Sequence, residues 1–218
     1  MEVDLHIHSH HSADSRARPA DIVARAVELG LGAIAITDHD SWLGAREATR
    51  LADGRILVIP GAEIKTDKGD VLALFVDEEL RSREFAVVIE EIRSRAGVSI
   101  IPHPADSPRI TELELRLADG LETFNSTCTK RSNARAAALA ERHSKPGFAS
   151  SDAHMVVEIG NGRTTIEDCE SLEELRHNIL KNPVISLRMG SNPLLHRMNE
   201  AYNFVTKGIW KKRESRAH

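Results

Sequence analysis

The chain has 218 residues, of which 41% are hydrophobic and 28% charged, with a net charge of −4. That length suits one α/β domain with a sizeable core, and the acidic balance argues against a general polyanion binder. Aromatics at 4% argue against a stacking platform for single-stranded nucleic acid. Along the chain, short strand-like runs alternate with amphipathic helices, the signature of a parallel α/β fold. Val3–His8 reads as the first strand. The first predicted helix, Pro19–Leu29, begins on a proline and stops at Gly30, with Ala20, Val23, Ala24 and Val27 as its apolar stripe. The pattern then predicts strands at Ala33–Thr37, Ile56–Ile59, Val71–Val76, Val98–Pro102, Gly120–Phe124, Gly147–Ser151, Arg163–Ile166 and Val184–Leu187. Helices are predicted near Leu43–Ala52, Glu84–Ala96, Ile110–Leu117, Ser132–His143, Ser171–Leu180 and Pro193–Lys207, with an S-x-x-E capping box opening at Ser171.

No linker, repeat or low-complexity stretch interrupts this alternation, so one domain is expected over 1–218, ending in a helix and a basic tail from about residue 188. From Ser186 onward, seven basic residues face two acidic ones, which leaves an acidic body suited to holding cations. Cys128 and Cys169 form no CxxC pair and read as free thiols of a reducing compartment. Met1 runs directly into a charged strand, so no secretory leader is expected. No apolar run is long enough to span a bilayer. The expectation is a cytoplasmic protein with no membrane contact and no obligate protein partner.

Ligand-type side chains recur where the strand-like runs end: His6 and His8, Asp38-His39, Glu63, His103, and Asp152-Ala153-His154. Residues two apart on a strand leave the same face, so His6 and His8 deliver two imidazoles to one point. Asp152 and His154 repeat the spacing. The flanking prolines of Pro102-His103-Pro104 are expected to hold His103 extended. Glu63 can bridge two ions, and Asp14 and His39 are further candidates. Functional groups at the C-terminal ends of many strands favour a closed barrel over an open sheet, which gathers function at one switch point. Imidazole and carboxylate suit Zn²⁺, Mn²⁺ or Fe²⁺ comparably. The set exceeds the needs of one tetrahedral ion, so two or three divalent ions are expected. Ions ~3.5–4 Å apart share a water, activate it as a nucleophile and neutralise a phosphoryl centre, which makes phosphate ester hydrolysis the expected reaction.

At these residues the sequence resembles the PHP family, named for polymerase and histidinol phosphatase. The marks are Asp4-Leu5-His6-Ile7-His8-Ser9, Thr37-Asp38-His39-Asp40, Pro60-Gly61-Ala62-Glu63-Ile64, Pro102-His103-Pro104 and Ser150-Ser151-Asp152-Ala153-His154, spread from about Asp4 to Leu187. The resemblance implies a distorted (βα)7 TIM-like barrel with a trinuclear metal centre. One metal is implied at His6, His8, Glu63 and Asp152, a second at Glu63 and His103, and a third at Asp14, His39 and His154. Relatives usually add a histidine to the second site, and Asp70 stands near that place here. His10 and His11 are extra histidines. Either His11 or Asp14 fits the third site, with Asp14 preferred. The long insertion of larger nucleotide-acting relatives before Pro102 is missing, which implies an open site. The implied activity is that of a metal-dependent phosphoesterase acting on nucleotides or short oligonucleotides. Competing readings are a histidinol-phosphate-type phosphatase and a non-catalytic RNA-binding scaffold.

Arg109 is the first candidate for a catalytic guanidinium that clamps the substrate phosphate, with Lys130 and Arg131 next. Asp38 is expected to orient an imidazole. His143, His177, His196 and His218 read as surface residues, and Cys128 has no partner that would make it a nucleophile.

Overall fold

The computed structural model describes residues 1–192. The predicted helix at Pro193–Lys207, most of the basic tail, His196 and His218 lie outside the described residues.

Strand β1 (Glu2–Ile7), helix α1 (Pro19–Glu28), β2 (Ala33–Ile36), α2 (Leu43–Ala52) and β3 (Leu57–Ile59) follow the predicted alternation. Two short strands come next, β4 (Gly61–Lys65) and β5 (Asp70–Leu74), then α3 (Phe85–Ser94) and β6 (Val98–Ile101). The chain continues through α4 (Glu112–Leu117), β7 (Gly120–Asn125), α5 (Lys130–His143), β8 (Gly147–Ser150), β9 (Gly162–Thr165), α6 (Leu172–Asn178) and β10 (Val184–Arg188). Among the described residues, no helix is long and apolar enough to cross a membrane.

The strands form two sheets, ordered β10-β9-β1-β2-β3 and β4-β5-β6-β7-β8. The fold is mixed α/β and is not wholly parallel. β4 pairs antiparallel with β5, and β5 with β6, while β6, β7 and β8 run parallel. The reversal comes from the turn at Thr66–Gly69. There the Thr66 hydroxyl accepts the Lys68 and Gly69 N–H groups, and Thr66 N–H donates to the Gly69 carbonyl. The expected continuous ring of strands is not formed, because neither hydrogen-bonded ladder closes on itself. Two isolated parallel bridges, Ile7 with Ala153 and His39 with Glu63, join the sheets at the ends of β1 and β2.

The α1 stripe sits one step from the expected register. Pro19, Ile22, Val23 and Ala26 are buried, whereas Ala20 and Ala24 are exposed and Val27 is half-buried. Ile22 carries far more apolar surface than either exposed alanine, so helix rotation follows it. On β1, Val3 and Leu5 pack with Ala33, Ile100 and Phe148. The β1–β2 register shifts between Asp4 and Ile7, and Ile7 joins Ile22 and Ile34 instead. A local irregularity of this kind re-aims side chains, and beyond it His6 and His8 turn toward the second sheet.

Gly44 sets how closely α2 approaches the loop after β1. A Cβ there would lie 2.0 Å from Asp38 Oδ2 and 2.4 Å from Ser9 Oγ. Gly44→Ala is therefore expected to destabilise the fold by about 1–3 kcal/mol, the usual cost of overpacking, read as a lower denaturation midpoint. An unchanged midpoint would mean that this contact is not needed.

Candidate metal centre

His6 and His8 converge as their spacing requires: the two Nε2 atoms stand 3.0 Å apart, and both side chains are buried. His6 Nδ1 lies 3.1 Å from Glu122 Oε1. A carboxylate only accepts, so Nδ1 carries the proton and Nε2 presents a lone pair. His8 Nδ1 is 3.2 Å from Ser12 Oγ, which also accepts the His39 N–H. At this distance either a proton or a cation must lie between the two Nε2 atoms.

Two carboxylates complete the set. Glu63 Oε2 is 3.4 Å from both Nε2 atoms, and Asp152 Oδ1 is 3.4 Å from that of His6 and 3.3 Å from that of His8. Four ligands ~2.0–2.1 Å from one tetrahedral ion stand roughly 3.3–3.4 Å from one another. The two imidazoles stand at about such distances from each other and from each carboxylate.

Glu63 supplies the test of fit. It is 1% exposed, and among the described residues its oxygens have no partners other than imidazole nitrogens. Around it stand His39 Nδ1 at 3.0 Å from Oε2 and His103 Nε2 at 3.3 Å from Oε1. A buried carboxylate ringed by imidazoles needs protons or cations on them to balance its charge, and this nitrogen and oxygen donor set fits divalent metal. Glu63, Asp70 and His103 place ligand atoms within 4.8 Å of one another, and so do His8, Asp14, His39 and His154. In the latter group Asp14 Oδ2 is 3.0 Å from His39 Nε2 and 3.5 Å from His154 Nε2. His154 Nδ1 faces the Asp152 carbonyl at 2.9 Å, which leaves Nε2 as the ligand atom.

All nine sequence-predicted ligands meet in this region: His6, His8, Asp14, His39, Glu63, Asp70, His103, Asp152 and His154. Several expectations about them change. Asp152 and His154 lie in the inner and outer groups to which the resemblance assigned them, but strand spacing does not put them there. The backbone turns at Asp152, whose φ is +51°, so the strand rule for alternate residues does not apply. His103 is not extended but left-handed, with φ +33°. Its N–H donates to Glu122 Oε2 at 2.9 Å, and its carbonyl accepts the Asp106 N–H, so a turn aims the ring despite the neighbouring prolines. Glu63 lies within β4 rather than at a strand end. Among the described residues, no hydrogen bond or ion pair joins the Asp38 carboxylate to an imidazole. Asp38 accepts the Ser9 N–H at 2.6 Å and the Ser9 hydroxyl at 2.7 Å, fixing the loop that follows His8. His11 is drawn off to Glu47, 2.9 Å away, which leaves Asp14 beside His39.

Glu122 is the main residue that sequence reasoning missed. Buried on β7, it touches His6, the His103 backbone and the Asn125 side-chain amide, 2.8 Å from Oε2. Asn125 and Thr127 in turn donate to Asp152 Oδ2 at 3.1 and 3.0 Å, leaving Oδ1 for His6 and His8. The available signal was an acid inside the apolar run Gly120-Leu121-Glu122-Thr123-Phe124. Arg109, Lys130 and Arg131 are exposed. Among the described residues, no hydrogen bond or ion pair joins these three to the cluster. Burial and the nearby Glu122, Asp106 and Asp152 push the Cys128 thiol up, which disfavours the thiolate.

Electrostatics repeat the demand for cations. Burial opposes the charged form of His39, but Asp14 and Glu63 outweigh it and push its pKa to about 10. His103, beside Glu63, and His154, beside Asp14 and Asp152, reach about 9 against the same burial penalty. Burial raises Glu63 and Asp152, yet the surrounding imidazoles hold both well below the usual carboxylate range. Without metal, protons supply the positive charge.

A PHP-associated family model matches residues 130–184. The chain is 33% identical to the uncharacterized protein MJ1587 of Methanocaldococcus jannaschii over 144 residues, which covers 58% of this chain and 82% of that protein. The chain belongs to the PHP family. It is also 35% identical to the 5′-3′ exoribonuclease Rnm of Salmonella typhimurium over 127 residues, spanning 54% of this chain and less than half, 43%, of that enzyme. Among solved structures, it superposes with a TM-score of 0.73 at 19% identity on a two-domain protein from Bacteroides vulgatus, described as containing a predicted PHP-like metal-dependent phosphoesterase. The match covers 86% of this chain and 65% of that one, and it shows a shared fold.

Two outcomes test the centre. Glu122→Gln keeps the size but removes the charge behind His6, and is expected to weaken metal binding about 10–100-fold, the usual effect of removing such a support, in competition with a chelator. Equal affinity would contradict the positioning role. The pH dependence follows from the raised imidazoles. Their stabilisation is complete below the unfolded value of 6.5 and is lost as pH rises through about 9 to 10. The metal-free protein should therefore lose thermal stability from about pH 6.5 to 10, and metal uptake at neutral pH should release protons, seen by calorimetry in buffers of different ionisation enthalpy. A flat melting profile without proton release would contradict it.

Proposed function

We propose that this chain is a metal-dependent phosphoesterase that hydrolyses phosphate esters, with nucleotides or short oligonucleotides as its substrate class. The carrying observation is the buried convergence of His6 and His8, 3.0 Å apart, with the Glu63 and Asp152 carboxylates, each 3.3–3.4 Å from both imidazoles. The likeness to Rnm, an exoribonuclease, supports the nucleotide side of the reading. In this account β1, β2 and β4 to β8 are the strands of a distorted (βα)7 barrel, with the His39–Glu63 and Ile7–Ala153 bridges at its two joins.

His6, His8, Glu63 and Asp152 would hold the innermost of two or three ions. Glu63, Asp70 and His103 would hold the second, and Asp14, His39 and His154 the third. When bound, divalent ions of the Zn, Mn or Fe type neutralise phosphate oxygens and lower the pKa of water. The protein's own work is placement. Glu122 fixes His6, the Asp152 carbonyl fixes His154, and Asn125 with Thr127 fixes Asp152. Each support locks a tautomer or an oxygen, so the ligands need little rearrangement. The half-exposed His39 and Asp14 sit at the open side, where a leaving group departs. Arg109, on the loop after His103, reaches the non-reacting phosphate oxygens in this account, with Lys130 and Arg131 as weaker contributors.

The test is hydrolysis of phosphomonoesters and short oligonucleotides by metal-repleted protein. Turnover is expected for at least one class, with Asp152→Ala inactive and Arg109→Ala raising KM about tenfold, roughly 1.4 kcal/mol of lost binding, at little cost to kcat. Tight RNA binding without turnover by a metal-loaded protein would overturn the enzymatic reading.

A further inference from the structure

His10 and His11 lie outside the centre just described, yet they are placed as carefully as its ligands. The loop after β1 is pinned along its length. His8 N–H donates to the Ala153 carbonyl, His10 N–H to the Ala17 carbonyl, and Ser12 N–H to the Ser9 carbonyl, each at 2.9 Å. Ser9 is itself clamped to Asp38, and its hydroxyl accepts the His11 N–H at 3.2 Å. Adjacent residues commonly send their side chains apart. Here the His10 and His11 rings lie side by side, with centroids 4.3 Å apart at 35°. Glu47 on the outer side of α2 meets them, with Oε2 at 2.9 Å from His11 Nε2. One ligand atom from each of His10, His11 and Glu47 falls within 4.8 Å of the other two.

We propose that His10, His11 and Glu47 form an accessory transition-metal site on the rim of the molecule, separate from the buried centre. Two imidazoles and one carboxylate, open to solvent on the remaining side, make a three-ligand set with room for water. Nitrogen-rich donors favour Zn²⁺, Ni²⁺ or Cu²⁺ over Mg²⁺ or Ca²⁺. An ion pair between His11 and Glu47 accounts for only two of the three side chains and leaves the His10 ring unexplained. The site shares no ligand with the centre, so its occupancy is independent of the hydrolase reading. A cation bound there ties the loop that carries Asp14 to α2, the helix whose Gly44 abuts Asp38 and Ser9. The site thereby braces the mouth of the centre from outside.

The experiment is a Ni²⁺ titration of the full chain, loaded with Zn²⁺ and then desalted so that only ions held by the buried centre remain, alongside crystals soaked in nickel chloride. One extra Ni²⁺ per chain is expected, with an anomalous peak between the three side chains. The extra binding should vanish in the His10→Ala/His11→Ala double variant. It should weaken by at least about tenfold in Glu47→Gln, since even outer partners of metal ligands are worth that much. All three residues lie at the surface or are only half-buried, and Glu47→Gln preserves shape, so melting curves should match the wild type. Unchanged Ni²⁺ binding in the double variant, or a nickel peak only elsewhere, would overturn the proposal.

Discussion

The structure is organised around one awkward group, the Glu63 carboxylate. It is buried, and the nitrogens of His6, His8, His39 and His103 crowd around it at 3.0–3.4 Å. A carboxylate so placed needs protons or cations on its surroundings to balance its charge. The raised imidazoles mark proton binding in the metal-free protein. Because its two oxygens face different imidazoles, Glu63 ties an inner site to an outer one.

The fold serves this group by bringing together chain segments remote in sequence. β4, which carries Glu63, belongs to one sheet, and β1, which carries His6, to the other. Single bridges hold the two together next to the ligands themselves. Two further buried acids, Asp4 on β1 and Asp38 after β2, hold neighbouring loops in place. Asp4 accepts the Ser151 and Gly160 N–H groups at 3.0 and 2.8 Å, tying β1 to the loops around Asp152. Burial pushes its pKa up to about 6 even so. Asp38 does the same for Ser9. A burial gradient follows: His6, His8, Glu63 and Asp152 are enclosed, whereas Asp14 and His39 face the solvent side.

Much of this was legible in the sequence, for a definable reason. His6 and His8 obey strand periodicity, so their convergence could be read directly. Helices with strong apolar stripes and clear stops, such as α2, fall where the pattern puts them. What was missed depends on contacts that one-dimensional spacing does not carry. The β4–β5 hairpin hides in short segments broken by Pro60, so the antiparallel pairing and the interior position of Glu63 were not visible. Glu122 reads as an ordinary strand acid until folding sets it behind His6. The left-handed turns at His103 and Asp152 defeat any rule based on extended backbone. The preference for Asp14 over His11 is supported by Glu47 on α2, which pairs with His11, a contact that spacing does not carry.

The central claim is that Glu63 is shared between metal ions rather than neutralised by protons alone. The most direct measurement is metal content per chain, by elemental analysis after repletion, of the wild type and of a folded Glu63→Ala variant. The account predicts more than one divalent ion in the wild type and the loss of more than one from this single substitution. Retention of the same metal content by Glu63→Ala, or a wild type that takes up none, would contradict it.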